Sequence, residues 1–554
     1  MFKFDRIPWL CVLLIGLGTG LRLALLDAKP PWNDELATLV FSLGNSLRSV
    51  PIDQPIALDT LLAPLRPNPA NTLRDVVTRL FTESTHPPVY FVLTHLWLQL
   101  FPTDHGLVSV WAARSLSALL GVAAIPAMWG LGWLTWRSKQ AGQMAAALMA
   151  VSPYGIYLAQ EARHYTLAVL WIIASLSCLI SGIRSIVQTP LPLWRCLVWV
   201  GVNSLGTATH YFFTLVLAAE AIALAPLWIL SAEKWGVAWR RIGGVAIATC
   251  MSLLAWLPMW GSISGNELTQ WIYDKDFLSN WIAPLGRLVA WMLTMVMLLP
   301  VEGVPLGVAI AAGAVLGISL FWLLPPLSRG MAYRLSAAST HKETQALLRV
   351  WLGAIVLMLC LTYGFQADLT IAARYQFIYF PAFIVLVAGA VVPGQPSGQS
   401  SGQPAKVLLL LGLMGSLTVI SNYGYQKPDR PDQLVPIIRS VSAVPVLIAT
   451  AHQTHEQTRE LMGLALEYHR QFPARTGELA PQFLLAHLAP DSNSAVEVLQ
   501  KTVEQMPRPF DVWTVNFLPT VQPELKTCLL DTADRPLMHG YDYRLYHCLG
   551  SPSG

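Results

Sequence analysis

Apolar segments of about 20 residues recur along most of this chain, and a segment of that length can cross a membrane as one helix. Residues 7–26, 112–136 and 242–260 are clear examples. The composition agrees, because 54% of the residues are hydrophobic and only 12% are charged, whereas soluble proteins carry about 25% charged residues. No clear small-residue cleavage site follows the first segment, so we expect it to be retained as a helix. The sequence predicts an all-α polytopic membrane protein.

Basic residues in the short loops predict how the spans are oriented. Lys3 and Arg6 precede the first apolar segment, which places the N-terminus in the cytoplasm and the adjacent carboxylates Asp34 and Glu35 outside. Continued along the chain, the same rule gives about eleven transmembrane helices. It also predicts a flexible cytoplasmic linker, rich in Gly, Ser, Gln and Pro, at residues 394–404.

Two apolar runs, residues 87–101 and 284–299, are short for a span, and we expect both to lie in the membrane interface. If the first run crossed the membrane instead, Arg137 and Lys139 would lie outside, against the positive-inside rule. Residues 141–158, by contrast, are predicted to form a span.

Hydrophilic sequence is concentrated in two regions. Residues 28–110 form a long external loop, within which residues 59–81 predict an amphipathic helix. We therefore predict a transmembrane catalytic domain over residues 1–425, including this loop, and a small extracytoplasmic α/β domain over residues 426–554. The predicted elements of the second domain are strands at residues 444–449 and 510–517 and a helix at residues 455–470.

Polar and aromatic side chains collect at the predicted external ends of the spans. They are Asp34, Glu35, His86, Glu161, Arg163, His164, Tyr165, His210, Asp368, Arg374 and Tyr375. Each has an ordinary explanation: an arginine at a helix end can snorkel, a lone histidine can be satisfied at the interface, and a tyrosine can join the aromatic belt. The Asp34–Glu35 pair can be a solvated turn. The joint occurrence of a carboxylate pair and two arginines beside apolar spans favours a functional site.

Such a site suits transfer from a lipid-phosphate donor. A carboxylate can take the proton from an attacking hydroxyl or amine. Arginines bind phosphate oxygens in forked pairs and stabilise the charge on a phosphate leaving group. Apolar helices can hold a polyprenyl chain. The spacing of the residues does not by itself identify the donor.

Five short motifs resemble those of the GT-C glycosyltransferases. They are Trp32-Asn33-Asp34-Glu35 after the first span, the residues 86–91 (HPPVYF), 113–119 (ARSLSAL) and 152–165 (SPYGIYLAQEARHY), and Ala373-Arg374-Tyr375 before a late span. The motif at residues 152–165 is the most specific of them. The chain is most similar to family 39-like enzymes, which are kin to protein O-mannosyltransferases and lipid A aminoarabinose transferases. The resemblance is strong over residues 1–183, weak in the later spans and absent from the tail.

The resemblance implies an activity and a set of roles. The donor would be a polyprenyl-phosphate-linked sugar, and transfer to a lipid, glycan or protein acceptor would invert the anomeric carbon at the outer face of a bacterial plasma membrane. Asp34 would be the base, with Glu35 and Glu161 orienting the site or the sugar. Arg163, together with Arg374 and His86, would hold phosphate. The remaining substrate-binding candidates are His164, Tyr165, His210 and Tyr375.

Cofactors and nucleic acid are not expected. A net charge of +4 is too small to indicate binding to nucleic acid. Relatives differ in their need for a divalent metal, and the outer loops lack an obvious additional acidic motif, so we expect metal independence, with a divalent metal as the alternative.

Two other kinds of protein fit parts of the pattern. A transporter or flippase for a lipid-linked sugar would also need polar groups and a lipid groove, but transporters often show paired halves and helices broken near the midplane. A non-catalytic membrane subunit with the tail as its binding module is the second alternative. Polar clusters on one side only, at the ends of spans, favour surface chemistry.

Cys528 and Cys548 are the only cysteines of the tail. The predicted orientation puts them in a compartment where disulfides persist, so we expect them to be bonded. Two buried free thiols are the alternative, because sequence does not show whether their Cα atoms come close.

Overall fold

The computed structural model describes residues 9–263, 271–273, 281–392, 402–472, 480–489, 493–517 and 524–550. Lys3, Arg6 and residues 394–401 of the predicted linker lie outside these ranges. The chain forms two compact units. The helical unit comprises Met1–Leu26, Thr85–Tyr90 and Arg114–Gln426, and the mixed unit comprises Asp27–Ser84, Phe91–Ala113 and Lys427–Gly554.

The described residues form α-helices and six β-strands. The helices are α1 (Trp9–Leu23), α2 (Asn33–Ser42), α3 (Leu58–Leu61), α4 (Leu73–Glu83), α5 (Val89–Leu98), α6 (Val110–Trp136), α7 (Lys139–Ala150), α8 (Pro153–Ala159), α9 (Tyr165–Ser185), α10 (Leu193–Thr209), α11 (Phe213–Ile229), α12 (Val237–Leu253), α13 (Leu257–Ile263), α14 (Ala283–Thr294), α15 (Leu306–Ser336), α16 (His341–Phe365), α17 (Phe380–Val391), α18 (Gln403–Ile420), α19 (Pro431–Val441), α20 (His455–Gln471) and α21 (Ser494–Gln505). The strands are β1 (Ile56–Ala57), β2 (Val446–His452), β3 (Gln482–His487), β4 (Phe510–Val515), β5 (Leu529–Leu530) and β6 (Tyr543–Cys548).

Six helical segments of the described chain are long and apolar enough to cross a membrane, and the protein is an integral membrane protein. They are α6, α9, Val237–Gly261, α15, α16 and α18. Shorter apolar helices are α1, α5, α11 and α17. The ten residues of α5 extend only about 15 Å, about half the thickness of the hydrocarbon core. The total of about eleven spans remains a prediction.

The predicted span at residues 141–158 is not a single helix, because the structure breaks it into α7 and α8; that this segment crosses the membrane remains a prediction. Ser152 is the break: its backbone is extended, and its Oγ accepts a hydrogen bond from the N–H of Gly155 at the start of α8. Pro153 follows at the first helical position, where the missing N–H costs nothing, and it disfavours a helical conformation at Ser152. The sequence SPYG is therefore a helix start within an apolar run.

Buried carbonyl groups at the C-terminal end of α7 are capped by an arginine of α1. Arg22 is fully buried, and its guanidinium donates to the carbonyl oxygens of Met149 at 2.8 Å and Ala150 at 3.1 Å. The last carbonyls of a helix have no partner within the helix and carry its partial negative charge. The arginine therefore fixes where α7 ends and the turn to α8 begins.

The core of the helical unit is built around α17, all of whose residues except the partly buried Phe383 are buried. This helix packs against α7, α9, α15 and α16. A Cβ atom at Gly389 would come within 2.4 Å of the Trp136 ring, so only glycine permits this approach. Small residues bring membrane helices close enough to pack in this way.

The mixed unit is organised around a six-stranded sheet of order β1-β3-β2-β4-β6-β5. The strands β2, β3 and β4 are parallel, and β1, β6 and β5 add antiparallel edges. The central strands are buried along most of their length, as is typical of parallel strands with both faces covered. The predicted strands at residues 444–449 and 510–517 and the helix at residues 455–470 are confirmed as β2, β4 and α20.

The mixed unit also contains most of the predicted external loop. Ile56 of that loop pairs with Phe483 to add β1 to the tail sheet. The predicted single helix at residues 59–81 is wrong: α3 ends at Leu61, and α4 starts only at Leu73, after the turn-forming stretch Pro67-Asn68-Pro69. The domain division at residues 425 and 426 remains a prediction. The predicted disulfide between Cys528 and Cys548 is confirmed.

Candidate functional site

Eight of the predicted site residues belong to the helical unit, where most of them meet. We call them the His-Arg cluster: His86, Glu161, Arg163, His164, Tyr165, His210, Arg374 and Tyr375. His86 precedes α5, residues 161–164 form the turn between α8 and α9, and His210 follows α10. Arg374 and Tyr375 lie in a short 3-10 helix, Ala373–Ile378, that leads into α17. Helix ends therefore position the cluster.

Arg163 is 1% exposed, and His86 binds it from a different segment of the chain. Its Nη2 lies 3.0 Å from His86 Nε2. A guanidinium can only donate, so Nε2 must be the acceptor and His86 is neutral in this contact. The backbone of the turn is fixed as well, because Ser117 Oγ donates to the Arg163 carbonyl oxygen at 3.0 Å. The guanidinium carbon also lies 5.7 Å from the centre of the Tyr165 ring.

His164 lies between two other histidine rings. Its ring centre is 5.4 Å from that of His86 and 4.6 Å from that of His210. The side chain is 1% exposed, and neither ring nitrogen has a hydrogen-bond partner within the described part of the chain. Buried polar atoms are normally paired. An imidazole with both nitrogens unpaired in a polar cluster is therefore a candidate contact for a ligand.

Arg374 and Tyr375 join this cluster through aromatic rings. The Arg374 guanidinium carbon lies 5.0 Å from the Trp271 ring centre and 5.3 Å from that of Tyr375. Tyr375 contacts Phe212, whose ring centre is 5.1 Å from that of His210. Tyr154 of α8 donates from its hydroxyl to the Ala373 carbonyl oxygen at 3.0 Å, which holds the backbone of the 3-10 helix. Trp271 was not predicted, because a single tryptophan in a polar loop gives no functional signal.

Two predicted carboxylates, Glu161 of the cluster and Asp368 outside it, are buried in the helical unit. Glu161 is 1% exposed, two residues before Arg163 in the same turn. Asp368 is 3% exposed and forms an ion pair with Arg287, and its Oδ1 accepts the N–H of Thr370 at 2.9 Å. Asp368 is thus engaged in a structural ion pair.

Asp34 and Glu35 belong to the mixed unit, in the first turn of α2. The alternative explanation placed them in a solvated turn, whereas the structure places them in a helix. Acidic side chains are favourable there because the first N–H groups of a helix are unpaired and carry partial positive charge. Glu35 is fully buried, and its Oε2 lies 3.4 Å from Nζ of the equally buried Lys427. The Asp34 side chain keeps 24% of its surface exposed.

A second cation, Arg459 of α20, approaches Asp34. Its Nη1 lies 3.8 Å from Asp34 Oδ1 and donates to the Asn33 carbonyl oxygen at 3.4 Å. The Asn33 N–H donates in turn to Asp429 Oδ2 at 3.4 Å. Desolvation, opposed by that N–H, raises the pKa of Asp429 to about 6. Desolvation and the nearby Asp429 raise the pKa of Glu460 to about 7.

Sequence reasoning missed Lys427, Asp429 and Arg459. The first two follow the last apolar segment directly, but nothing in their local pattern sets them apart from an ordinary domain start. Asn33 and Asp429 are 396 residues apart in the chain, so their contact has no local signal.

The arrangement of the acidic and histidine side chains decides whether these residues could hold a metal ion. No group of three or more His, Cys, Asp or Glu side chains in the described ranges is arranged to hold a metal ion. The carboxylates of Asp34 and Glu35 each face a basic side chain instead. A resident divalent metal therefore does not fit these residues as they are arranged, and metal independence remains a prediction.

The fold of the chain is similar to that of solved structures of the GT-C class, which the sequence motifs also resemble. Two solved structures of ArnT from Cupriavidus metallidurans have this fold: the apo state, with a TM-score of 0.50, and the complex with undecaprenyl phosphate, with a TM-score of 0.52. Each is 12% identical to this chain, and each comparison covers 98% of both chains. No protein-family model and no curated protein matches the sequence. At this identity the likeness concerns the fold, and the roles of individual residues remain predictions.

Proposed function

We propose that this protein is a membrane glycosyltransferase that moves a sugar from a polyprenyl-phosphate donor to an extracytoplasmic acceptor. The observation that carries the proposal is the buried Arg163, held by neutral His86 beside His164, whose ring nitrogens have no partner among the described residues. This arrangement offers charged and neutral hydrogen-bond donors to an anion at the ends of apolar helices. The undecaprenyl phosphate in one ArnT structure of the same fold is consistent with such a ligand.

The His-Arg cluster would bind the donor phosphate. Guanidinium groups bind phosphate oxygens in two-pronged contacts, and Arg163 and Arg374 supply them. His86 and His164 would add hydrogen bonds, while Tyr165, His210 and Tyr375 would contact the sugar or shape its pocket. As the glycosidic bond breaks, negative charge grows on the phosphate, and fixed cations in a water-poor site stabilise it.

Asp34 would be the general base. A hydroxyl or amine of the acceptor attacks the anomeric carbon, the bond from that carbon to the phosphate oxygen breaks, and Asp34 takes the acceptor proton. The phosphate leaves with its lipid, and attack from the opposite face inverts the anomeric centre. Glu35, fixed by Lys427, would orient the first turn of α2, and Glu161 would orient the sugar or the turn at Arg163. The partly exposed side chain of Asp34 supports its assignment as the base rather than Glu35.

The orientation in the membrane and the acceptor class are part of the same proposal. The N-terminus would be cytoplasmic and the tail extracytoplasmic in a bacterial plasma membrane, and the acceptor would be a lipid, glycan or protein. The alternatives are a flippase for a lipid-linked sugar and a non-catalytic subunit. Neither a flippase nor a non-catalytic subunit catalyses sugar transfer, so neither would need a general base.

An assay of the full chain in membranes with labelled polyprenyl-phosphate sugars tests the proposal. Asp34→Asn should lower turnover by about 10²–10⁴-fold, the range for loss of a positioned base, and leave donor binding nearly unchanged. Asp59→Asn is the matched control, because Asp59 lies in the same loop in an exposed ion pair with Arg66. Near-normal turnover in Asp34→Asn would show that another group is the base. Donor movement across vesicles without any transfer would favour the flippase.

A further inference from the structure

A carboxyl group that the proposed chemistry does not use lies inside the helical unit. Glu220 is in the middle of α11, whose other residues are apolar apart from one threonine, and it is 4% exposed. No Lys, Arg or His side chain of the described residues forms an ion pair with it. An ionised carboxylate in such a place is costly unless a cation compensates it. The charge of Glu220 therefore depends on the hydrogen bonds that its carboxyl group makes.

Glu220 ends a chain of hydrogen-bonding side chains that crosses four helices. Ser175 Oγ of α9 lies 3.0 Å from Glu220 Oε2 and 2.8 Å from Asn203 Oδ1 of α10. Asn203 Nδ2 donates to Thr249 Oγ1 of α12 at 3.3 Å. All four side chains are buried. In the structure, the Asn203 amide directs its N–H side to Thr249 and its oxygen to Ser175.

The number of hydrogens in this chain constrains the protonation of Glu220. A serine hydroxyl has one hydrogen, which it can give to only one of these two oxygens, and Asn203 Oδ1 has no hydrogen of its own. The contact between Ser175 and Glu220 then needs a hydrogen from the glutamate. We propose that Glu220 is a protonated carboxylic acid whose O–H donates to Ser175 Oγ. Its other oxygen, Oε1, has no hydrogen-bond partner among the described residues, and a neutral carbonyl oxygen costs far less there than a charged one.

The protonated Glu220 fixes the helices that carry part of the His-Arg cluster. The α9 helix starts directly after His164, and α10 ends directly before His210. The hydrogen bond from Ser175 to Asn203 joins these helices roughly two to three turns from the histidine rings. Glu220 is thus a positioning residue for the contact between His164 and His210, whose ring centres are 4.6 Å apart. The positioning role of Glu220 rests on the proposed function, whereas its protonation state does not.

Infrared difference spectroscopy of the full chain in lipid measures the protonation directly. The C=O stretch of a protonated carboxyl lies apart from the carboxylate bands. Subtracting the spectrum of Glu220→Gln from that of wild type should reveal this band, and ¹³C-glutamate labelling should shift it. Glu343→Gln is the matched control, because Glu343 is also buried but accepts a hydrogen bond from Arg184 Nε at 2.7 Å and is paired with its charge. That variant should retain the band.

Transfer activity then tests the positioning role. The Glu220→Gln amide donates to Ser175 as the acid does, so turnover should stay within about twofold of wild type. Glu220→Ala removes the donor and should lower turnover by up to about 10²-fold, as small misplacements of binding groups do. Comparable losses in both variants, with the band present, would overturn the positioning role.

The infrared measurement tests the protonation of Glu220, and the activity measurement tests the proposed function, so each hypothesis can be disproved without the other. If the Glu220→Gln difference spectrum lacks a protonated-carboxyl band, Glu220 is ionised, the Asn203 amide is turned over, and the inference is wrong. If wild-type protein shows the band but transfers no sugar from any donor, the proposed function fails and the protonation of Glu220 stands.

Discussion

Lys427 Nζ lies 3.4 Å from Glu35 Oε2, and the two side chains are 4% and 0% exposed. The pair joins the first turn of α2, from the predicted external loop, to the residue at which the tail begins. Because both charges are removed from water, their mutual attraction offsets part of the cost of burying them. The neighbouring Asp34 is held in place by the same turn of helix.

Removing one charge of this pair should destabilise the protein strongly. Glu35→Gln and Lys427→Met should each lower the free energy of unfolding by about 3–5 kcal/mol, since each removes one charge of a buried ion pair and leaves the other out of water. The double variant should lose clearly less than the sum. Denaturant unfolding of the purified protein measures this, with Asp59→Asn in the exposed pair with Arg66 as a control that should change little. Additive losses would show that the two side chains do not interact.

Arg163→Ala should weaken binding of a polyprenyl phosphate. A hydrogen bond to a charged group contributes about 1.5–3 kcal/mol, which corresponds to about 10–10²-fold in Kd. Titration of a short-chain polyprenyl phosphate into detergent-solubilised protein measures it. Arg195→Ala is the control, because Arg195 stacks on Trp194 outside the cluster. Equal affinities in wild type and Arg163→Ala would remove Arg163 from the phosphate site.

The stability of the mixed unit should depend on pH through His547. Its Nδ1 lies 2.7 Å from Asp511 Oδ1 and its Nε2 lies 3.2 Å from Asp531 Oδ2, and these hydrogen bonds, that to Asp511 first, raise the pKa of His547 above its usual 6.5. A raised pKa means that the stabilisation is fully present below pH 6.5 and is lost as the pH rises through the folded-state pKa.

A carboxylate in the same contact gives the opposite dependence at low pH. The Ala533 N–H, followed by the ion pair with Arg535, lowers the pKa of Asp531 to about 2 from its usual 3.8. Its contribution is present above pH 3.8 and is lost as the pH falls through about 2. Unfolding followed across this range should therefore show its best stability between these limits. His547→Gln should abolish the decline above pH 6.5, and the exposed His539→Gln should keep it. An unchanged decline in His547→Gln would assign it to another group.

Loss of the Cys528–Cys548 bond should lower the free energy of unfolding of the tail. The bond closes a loop with a sequence separation of 20, for which the chain-entropy model gives about 3 kcal/mol. The Cys528→Ser/Cys548→Ser protein should unfold at lower denaturant, while Cys250→Ser, at a free and exposed cysteine, should behave as wild type. Alkylation of both tail cysteines in unreduced protein from native membranes would contradict the bond.

Many elements of the fold were predictable because their signals are local. The apolar run at residues 112–136 predicted α6, and the β-branched and helical patterns of the tail predicted β2, β4 and α20. The errors also have local causes. Residues 141–158 are mostly apolar, yet Ser152 and Pro153 end one helix and begin another. Residues 59–81 have a helical pattern that a proline-containing turn interrupts.

The sequence by itself determined that the chain spans a membrane and that its tail is α/β. It also determined which motif residues, from His86 to Arg374, are candidates for a functional site. These properties depend on composition, short-range periodicity and motif. Only the tertiary structure decided which side chains share a partner: Glu35 with Lys427, Asp34 with Arg459, and Glu220 with Ser175 and Asn203. A buried charge or polar group must be satisfied by whatever the fold brings within about 3–4 Å. That partner is chosen by packing between distant segments, which no local pattern records.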